Sequence, residues 1–178
     1  MSFIVQIGVG GADTHTPQRK SSIMSMLTPL SHAARWLGLA GLLPQLLAVL
    51  LLTDVELRWT AIAAGFGYAA LIFSFLGGVW WGVGISAQAS PRWVYAAAVL
   101  PSLIGFAAYL PWIFGWTWPG PQLAVIAVAL ILSPLVDRAI ARTVPLPEGW
   151  LALRCTLSLG LGSLTAILAV VAIFLDPA

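Results

Sequence analysis

Side chains able to do chemistry are few in this 178-residue chain, and they are scattered. His15 and His32 both precede the first long apolar stretch. Cys155 is the single cysteine, which rules out an internal disulfide or a Cys-based metal cluster. A cysteine nucleophile needs a neighbouring base, and none lies near it in sequence. The run Gly8-Val9-Gly10-Gly11 has the composition of a phosphate-cradling loop without the strand and helix that give such a loop its geometry, and reads as a flexible tail. What remains is Arg154 and, earlier, Asp137. No catalytic, cofactor-binding or metal-binding residue is expected, no cofactor, and no nucleic-acid partner.

The elements that hold these residues are almost wholly apolar. Hydrophobic residues make up 60% of the chain and charged ones 8%, with a mean hydropathy of +0.97. A soluble domain carries about a quarter charged residues. This chain cannot cover its own surface with polar groups, so its solvent is lipid. A helix needs about 20 apolar residues to cross the hydrocarbon core, and five segments qualify: Trp36 to Thr53, Trp59 to Ile85, Trp93 to about Trp112, Gln122 to Arg138–Arg142, and Trp150 to Leu175. Thr28-Pro29 reads as an N-cap followed by proline, which would start the first helix earlier. The prolines inside the spans, Pro101 and Pro134, predict bends rather than breaks, because neighbours can satisfy the freed carbonyls. The expected fold is all-α: a polar tail over residues 1–28 and one five-helix transmembrane domain over 29–178.

Orientation follows from arginine and lysine in short flanks. Arg19, Lys20, Arg35, Arg92, Arg138 and Arg142 share one side, and only Arg58, beside Asp54 and Glu56 and matched by the terminal Asp176, lies on the other. The N-terminus is therefore expected in the cytoplasm and the C-terminus outside, in a bacterial inner membrane or its equivalent. Tryptophan prefers the two interfaces. Trp36, Trp80, Trp81, Trp93 and Trp150 fall at expected cytoplasmic ends, and Trp59, Trp112, Trp116 and Trp118 at outer ends.

Arg154, a turn inside the fifth span, is the one charge placed within a span. Either its long stem lets it snorkel to the interface, or it pairs with Asp137 at the end of the fourth span; a headgroup-binding role is a third reading. Small residues mark close helix packing in lipid, where no hydrophobic force draws helices together. On the second span Ala70, Ser74, Gly78, Gly82 and Ser86 recur every four residues, with Gly77 and Gly67 nearby; Ser158, Gly162 and Ala166 continue the face of Arg154; Gly38 and Gly41 lie on the first span beside Gln45. These surfaces fit packing inside the bundle, or docking of a partner.

The stretches Trp36-Leu37-Gly38-Leu39-Ala40-Gly41-Leu42-Leu43-Pro44 and Tyr68 to Gly82, with its Ser-Phe-Leu-Gly-Gly-x-x-Trp-Gly run, resemble a family of bacterial and mitochondrial multi-span proteins classed as a domain of unknown function, whose animal members are called transmembrane protein 69. Leu153-Arg154 followed by Thr156-Leu157 is similar to a later stretch of that family. The resemblance covers about Trp36 to Ile173, with Gln45 standing where an aromatic is expected. It implies a bioenergetic inner membrane and carries over no catalytic residue. The leading expectation is a non-enzymatic accessory, assembly or structural subunit of a larger respiratory or photosynthetic inner-membrane complex, with the lipid bilayer and other integral membrane proteins as partners. The alternative is a small membrane protein that binds a hydrophobic ligand or tetrapyrrole; a small transporter comes third.

Overall fold

A computed structural model describes residues 30–87, 90–116 and 118–175. The polar tail, the Gly8–Gly11 run, His15, Arg19, Lys20, the Thr28-Pro29 helix start and Asp176 lie outside the described residues. The described elements are helical: α1 (His32–Ala40), α2 (Leu43–Leu50) with a tighter turn at Leu51–Thr53, α3 (Arg58–Ser86), α4 (Arg92–Ile113), α5 (Gly120–Ala141) and α6 (Trp150–Leu175). Together they make five helical spans long and apolar enough to cross a membrane, the first of them His32–Thr53. The chain is a polytopic helical membrane protein.

Local chemistry sets the ends. Ser31 caps α1, its hydroxyl accepting from the Ala34 amide at 3.1 Å. The first span was expected as one helix but is two. Pro44, near the start of α2, has no amide hydrogen to give the preceding turn, and its ring crowds the carbonyl four residues back. The chain therefore turns at Gly41 and Leu42, and the freed Gly41 carbonyl accepts from the Tyr68 hydroxyl of α3. Asp54 then folds the chain back, its Oδ1 accepting from the amides of Glu56 (2.9 Å) and Leu57 (3.2 Å). Pro101, Pro111 and Pro134 all sit inside continuous helices. Helix α4 stops at Gly115, whose φ of +68° suits a residue without a side chain. The Gly115 amide returns to Trp112 O at 3.3 Å and the Trp116 amide to Pro111 O at 2.8 Å, closing the helix end.

Helix α3 has 29 residues, which at 1.5 Å each makes it about 43 Å long, more than the ~30 Å hydrocarbon core. It lies at the centre, packed on α2, α4, α5 and α6; α5 with α6, and α3 with α4, form the two most intimate pairs. Spacing of the buried residues shows how the helices mesh. On α3 they include Ile62, Phe66, Ala69, Phe73, Leu76 and Trp80, flanked by Ala61, Gly65, Gly77 and Gly84; on α6, Arg154, Ser158, Leu161, Thr165, Leu168 and Ala172, flanked by Gly162 and Ala169. Along the central line of each face, steps of four and three alternate, the seam that lets long helices interdigitate at a shallow angle. The first span hangs on the outside: α1 buries no residue and α2 only Gln45 and Ala48.

Candidate functional site at the Trp80–Asp137–Arg154 cluster

The short connection from Thr143 to Gly149 returns α6 antiparallel to α5. Gly149, with φ of +79°, makes the final turn into Trp150. Asp137 lies four residues before the end of α5 and Arg154 four residues after the start of α6, so the two face each other. Arg154 Nε donates to Asp137 Oδ2 at 3.0 Å, and Trp80 Nε1, from α3, donates to Asp137 Oδ1 at 2.8 Å. All three side chains are buried, Asp137 to 2% exposure and Arg154 to 8%. Each carboxylate oxygen thus has its own donor from a different helix, and the opposite charges are taken out of lipid as a pair. One buried nitrogen is left over: Arg154 Nη2 has no acceptor among the described residues.

A polar row continues inward along the same helix face. One turn deeper, Ser133 Oγ and Ser158 Oγ meet at 2.9 Å. Ser133 also donates to Leu130 O at 2.8 Å, the carbonyl that Pro134 leaves without its helical amide. With that proton committed, Ser158 is the donor to Ser133. Deeper still, Gln45 Nε2 of α2 donates to Thr165 Oγ1 at 3.0 Å, and Thr165 donates to Leu161 O at 2.8 Å. Gln45 and Thr165 are both fully buried. The row consists of hydrogen-bonded helix contacts, two bridging α6 to α5 and the deepest bridging α6 to α2.

Cavities open beside these helices, one of them, of about 380 Å³, between Leu52, Arg58 and Phe174. One of about 200 Å³ lies where the α1–α2 turn leans on α3 and α6, and Gly38, Gly41, Leu76, Arg154 and Ser158 line it. Another, of about 530 Å³, is an aromatic cleft between α3 and α4 at the opposite end of α3 from Trp80.

The chain matches, over residues 30–171, the family described as "Protein of unknown function (DUF3429)". It belongs to this family. Among curated proteins it is similar to "Transmembrane protein 69" of Xenopus tropicalis, 40% identical over 81 residues, covering 43% of this chain and 32% of that protein. The match thus spans about a third of the relative's length. No solved structure matches.

In this family member the residues singled out from sequence part into two groups. Asp137 and Arg154 come together. Gly77 lies against the backbone of α4, where any side chain would run into the Ala98 carbonyl. Gly162 is as tightly held by α5, with Ile131 Cγ1 2.6 Å and Ala127 O 3.2 Å from where a Cβ would sit. Gly38 meets Leu157 of α6 at 3.2 Å in the same sense, and Gly41 approaches Tyr68. Ala70 and Ser74 line the place where Gly105 of α4 packs. Gly78 and Gly82 do not belong to this packing: both are exposed, with nothing within 4 Å of a Cβ on either. A step of four residues advances about 40° beyond a full turn at 3.6 residues per turn, so by Gly78 the row has turned about 80° from Ala70. Packing inside the bundle therefore explains Gly77 and not Gly78 or Gly82. Trp80 is a second correction: it is a buried donor to Asp137, not an interfacial ring. His32 is exposed, and Cys155 is partly buried.

Sequence reading missed Trp80, Ser133, Gln45 and Thr165 as members of the polar row. One signal was present. Stepping from Arg154 by four, three and four along α6 lands on Ser158, Leu161 and Thr165, which puts every buried polar group of that helix on one seam.

Proposed function

We propose that this protein is a non-enzymatic accessory or assembly subunit that docks on a larger integral membrane complex, with respiratory or photosynthetic inner-membrane complexes as the first class to test. The open glycines of α3 carry this reading. A glycine inside a helix costs about 0.5–1 kcal/mol relative to alanine. Gly77 offsets that cost by admitting α4, whereas Gly78 and Gly82 face outward with open space above them. In lipid, such a surface is useful where another transmembrane helix brings its backbone close. The bundle's buried ion pair also supports a structural role, since both carboxylate oxygens are engaged in joining helices.

The test is co-purification from native membranes in mild detergent, comparing the natural chain with Gly78→Leu/Gly82→Leu. Loss of integral membrane partners, with unchanged melting of the isolated chain, is the expected result. Undiminished retention of the same partners by the double variant would refute the docking face.

A further inference from the structure

The first span finishes, α3 begins and α6 ends at one end of the bundle, and a groove of about 380 Å³ lies between them. Its lining is Leu52, Thr53, Arg58, Val170, Val171 and Phe174, with Arg58 the one charged side chain. The guanidinium is held there: Arg58 Nε donates to the carbonyl oxygen of Leu52, itself a wall residue, at 2.9 Å. Neither Nη has an acceptor among the described residues, and neither is sealed off by protein. Asp54 and Glu56 stand in the same loop, yet neither carboxylate comes within ion-pair distance of Arg58; among the described residues that distance is met by Asp137 and Arg154. Both loop carboxylates are exposed, with Asp54 Oδ1 engaged by the Glu56 and Leu57 amides. Arg58 is the first residue of α3, whose length exceeds the hydrocarbon core, and this places it at headgroup level. A partly buried, immobilised cation thus opens its fork over an apolar floor, rimmed by two unpaired acids.

We propose that this groove seats one phospholipid of the ethanolamine class, with its phosphate on the Nη groups of Arg58 and its ammonium toward Asp54 and Glu56. Charge complementarity chooses the occupant. A guanidinium fork matches two phosphate oxygens at once, and Nε is already taken by Leu52, so the Nη side is the one presented. The apolar floor suits the upper part of an acyl chain: about 380 Å³ is more than twice the ~150 Å³ that holds a benzene ring. The rim acids select among headgroups. A glycerol headgroup brings them no cation, and choline carries a cation with no N–H to give. An ethanolamine headgroup brings an ammonium that donates to a carboxylate.

Native mass spectrometry of the full chain tests this, after delipidation in detergent and addition of equimolar phosphatidylethanolamine and phosphatidylglycerol with identical acyl chains. Retention of phosphatidylethanolamine about threefold above phosphatidylglycerol is expected, the scale of an exposed ion pair. Phosphatidylcholine in place of phosphatidylethanolamine is expected to show no such preference. Arg58→Gln is the decisive variant. Its amide nitrogen stands where Nε does, so the contact with Leu52 survives while the Nη groups and the charge are lost. Retention of every phospholipid is expected to fall roughly tenfold, the worth of a charged hydrogen bond, with unchanged melting. Val170→Trp fills the groove from α6, where Val170 is half exposed, and is expected to displace all three lipids alike. Asp54→Asn/Glu56→Gln keeps the turn and removes the rim charge; it is expected to erase the preference without lowering total retention. Retention untouched by both Arg58→Gln and Val170→Trp would overturn the site. Equal retention of phosphatidylethanolamine and either other lipid, or a preference that survives loss of the rim charge, would overturn the ethanolamine assignment.

Discussion

Asp137 and Arg154 meet across the α5–α6 interface with Nε 3.0 Å from Oδ2, and Trp80 holds the other carboxylate oxygen from a third helix. Breaking a buried pair on one side strands a charge, at about 3–5 kcal/mol, whereas removing both partners costs much less. Asp137→Ala and Arg154→Ala are each expected to lower thermal stability more than the double variant does. Equal, additive losses in a double-mutant cycle would contradict the geometry. Trp80→Phe leaves Oδ1 without its donor and is expected to cost about 1–3 kcal/mol, a loss that shrinks once Asp137 is already alanine.

Adjacent glycines on α3 are expected to behave oppositely. Gly77→Ala drives a methyl into the Ala98 carbonyl of α4 and is expected to destabilise the isolated chain by about 1–3 kcal/mol. Gly78→Ala meets open space and is expected to be neutral or to stabilise by up to about 1 kcal/mol, the helix-propensity gain. Thermal melts of the two variants in one detergent decide the matter. Comparable losses at both positions would place Gly78 in the interior after all.

The Gln45–Thr165 hydrogen bond is the deepest tie between the outer first span and the rest. Thr165→Val removes the acceptor and leaves the fully buried Gln45 amide unpaired, for an expected loss of about 1–2 kcal/mol. Gln45→Leu/Thr165→Val replaces both partners with apolar groups and is expected to recover most of it. A double variant no better than Thr165→Val would show that the pair does not couple.

Sidedness is expected from charge. The spans are odd in number, and arginine and lysine crowd the flanks that share a side with the N-terminus. Reporters fused at Met1 and at Ala178 are expected to place the first in the cytoplasm and the second outside. The same compartment at both ends would mean one helix does not cross.

What sequence alone determined is the solvent and the number of crossings. A chain with 8% charged residues has no aqueous surface to offer, and runs of about 20 apolar residues have one stable outcome in lipid. Antiparallel pairing of α5 and α6 was also legible from the short connection, which made Asp137 one of the readings for Arg154; that the two meet, rather than Arg154 snorkelling to the interface, was settled by the packing. Which face of each helix looks inward was not. In a soluble helix hydropathy marks the buried side; here lipid is as apolar as the core, and Leu71 and Phe75 face outward while Phe73 and Leu76 are buried. The every-fourth-residue row of small side chains on α3 therefore pointed to Gly78, whereas the buried seam follows steps of four and three through Phe73, Leu76 and Trp80, with Gly77 beside it against α4. Trp80 shows the same limit. An indole near a helix end suits the interface as well as the interior, and only the approach of α5 to α3 gave it Asp137 to bind. The Gln45–Thr165 contact and the aromatic cleft likewise depend on neighbours remote in sequence. Tertiary packing decided them because, in lipid, close contact and hydrogen bonding rather than hydrophobicity choose which faces meet.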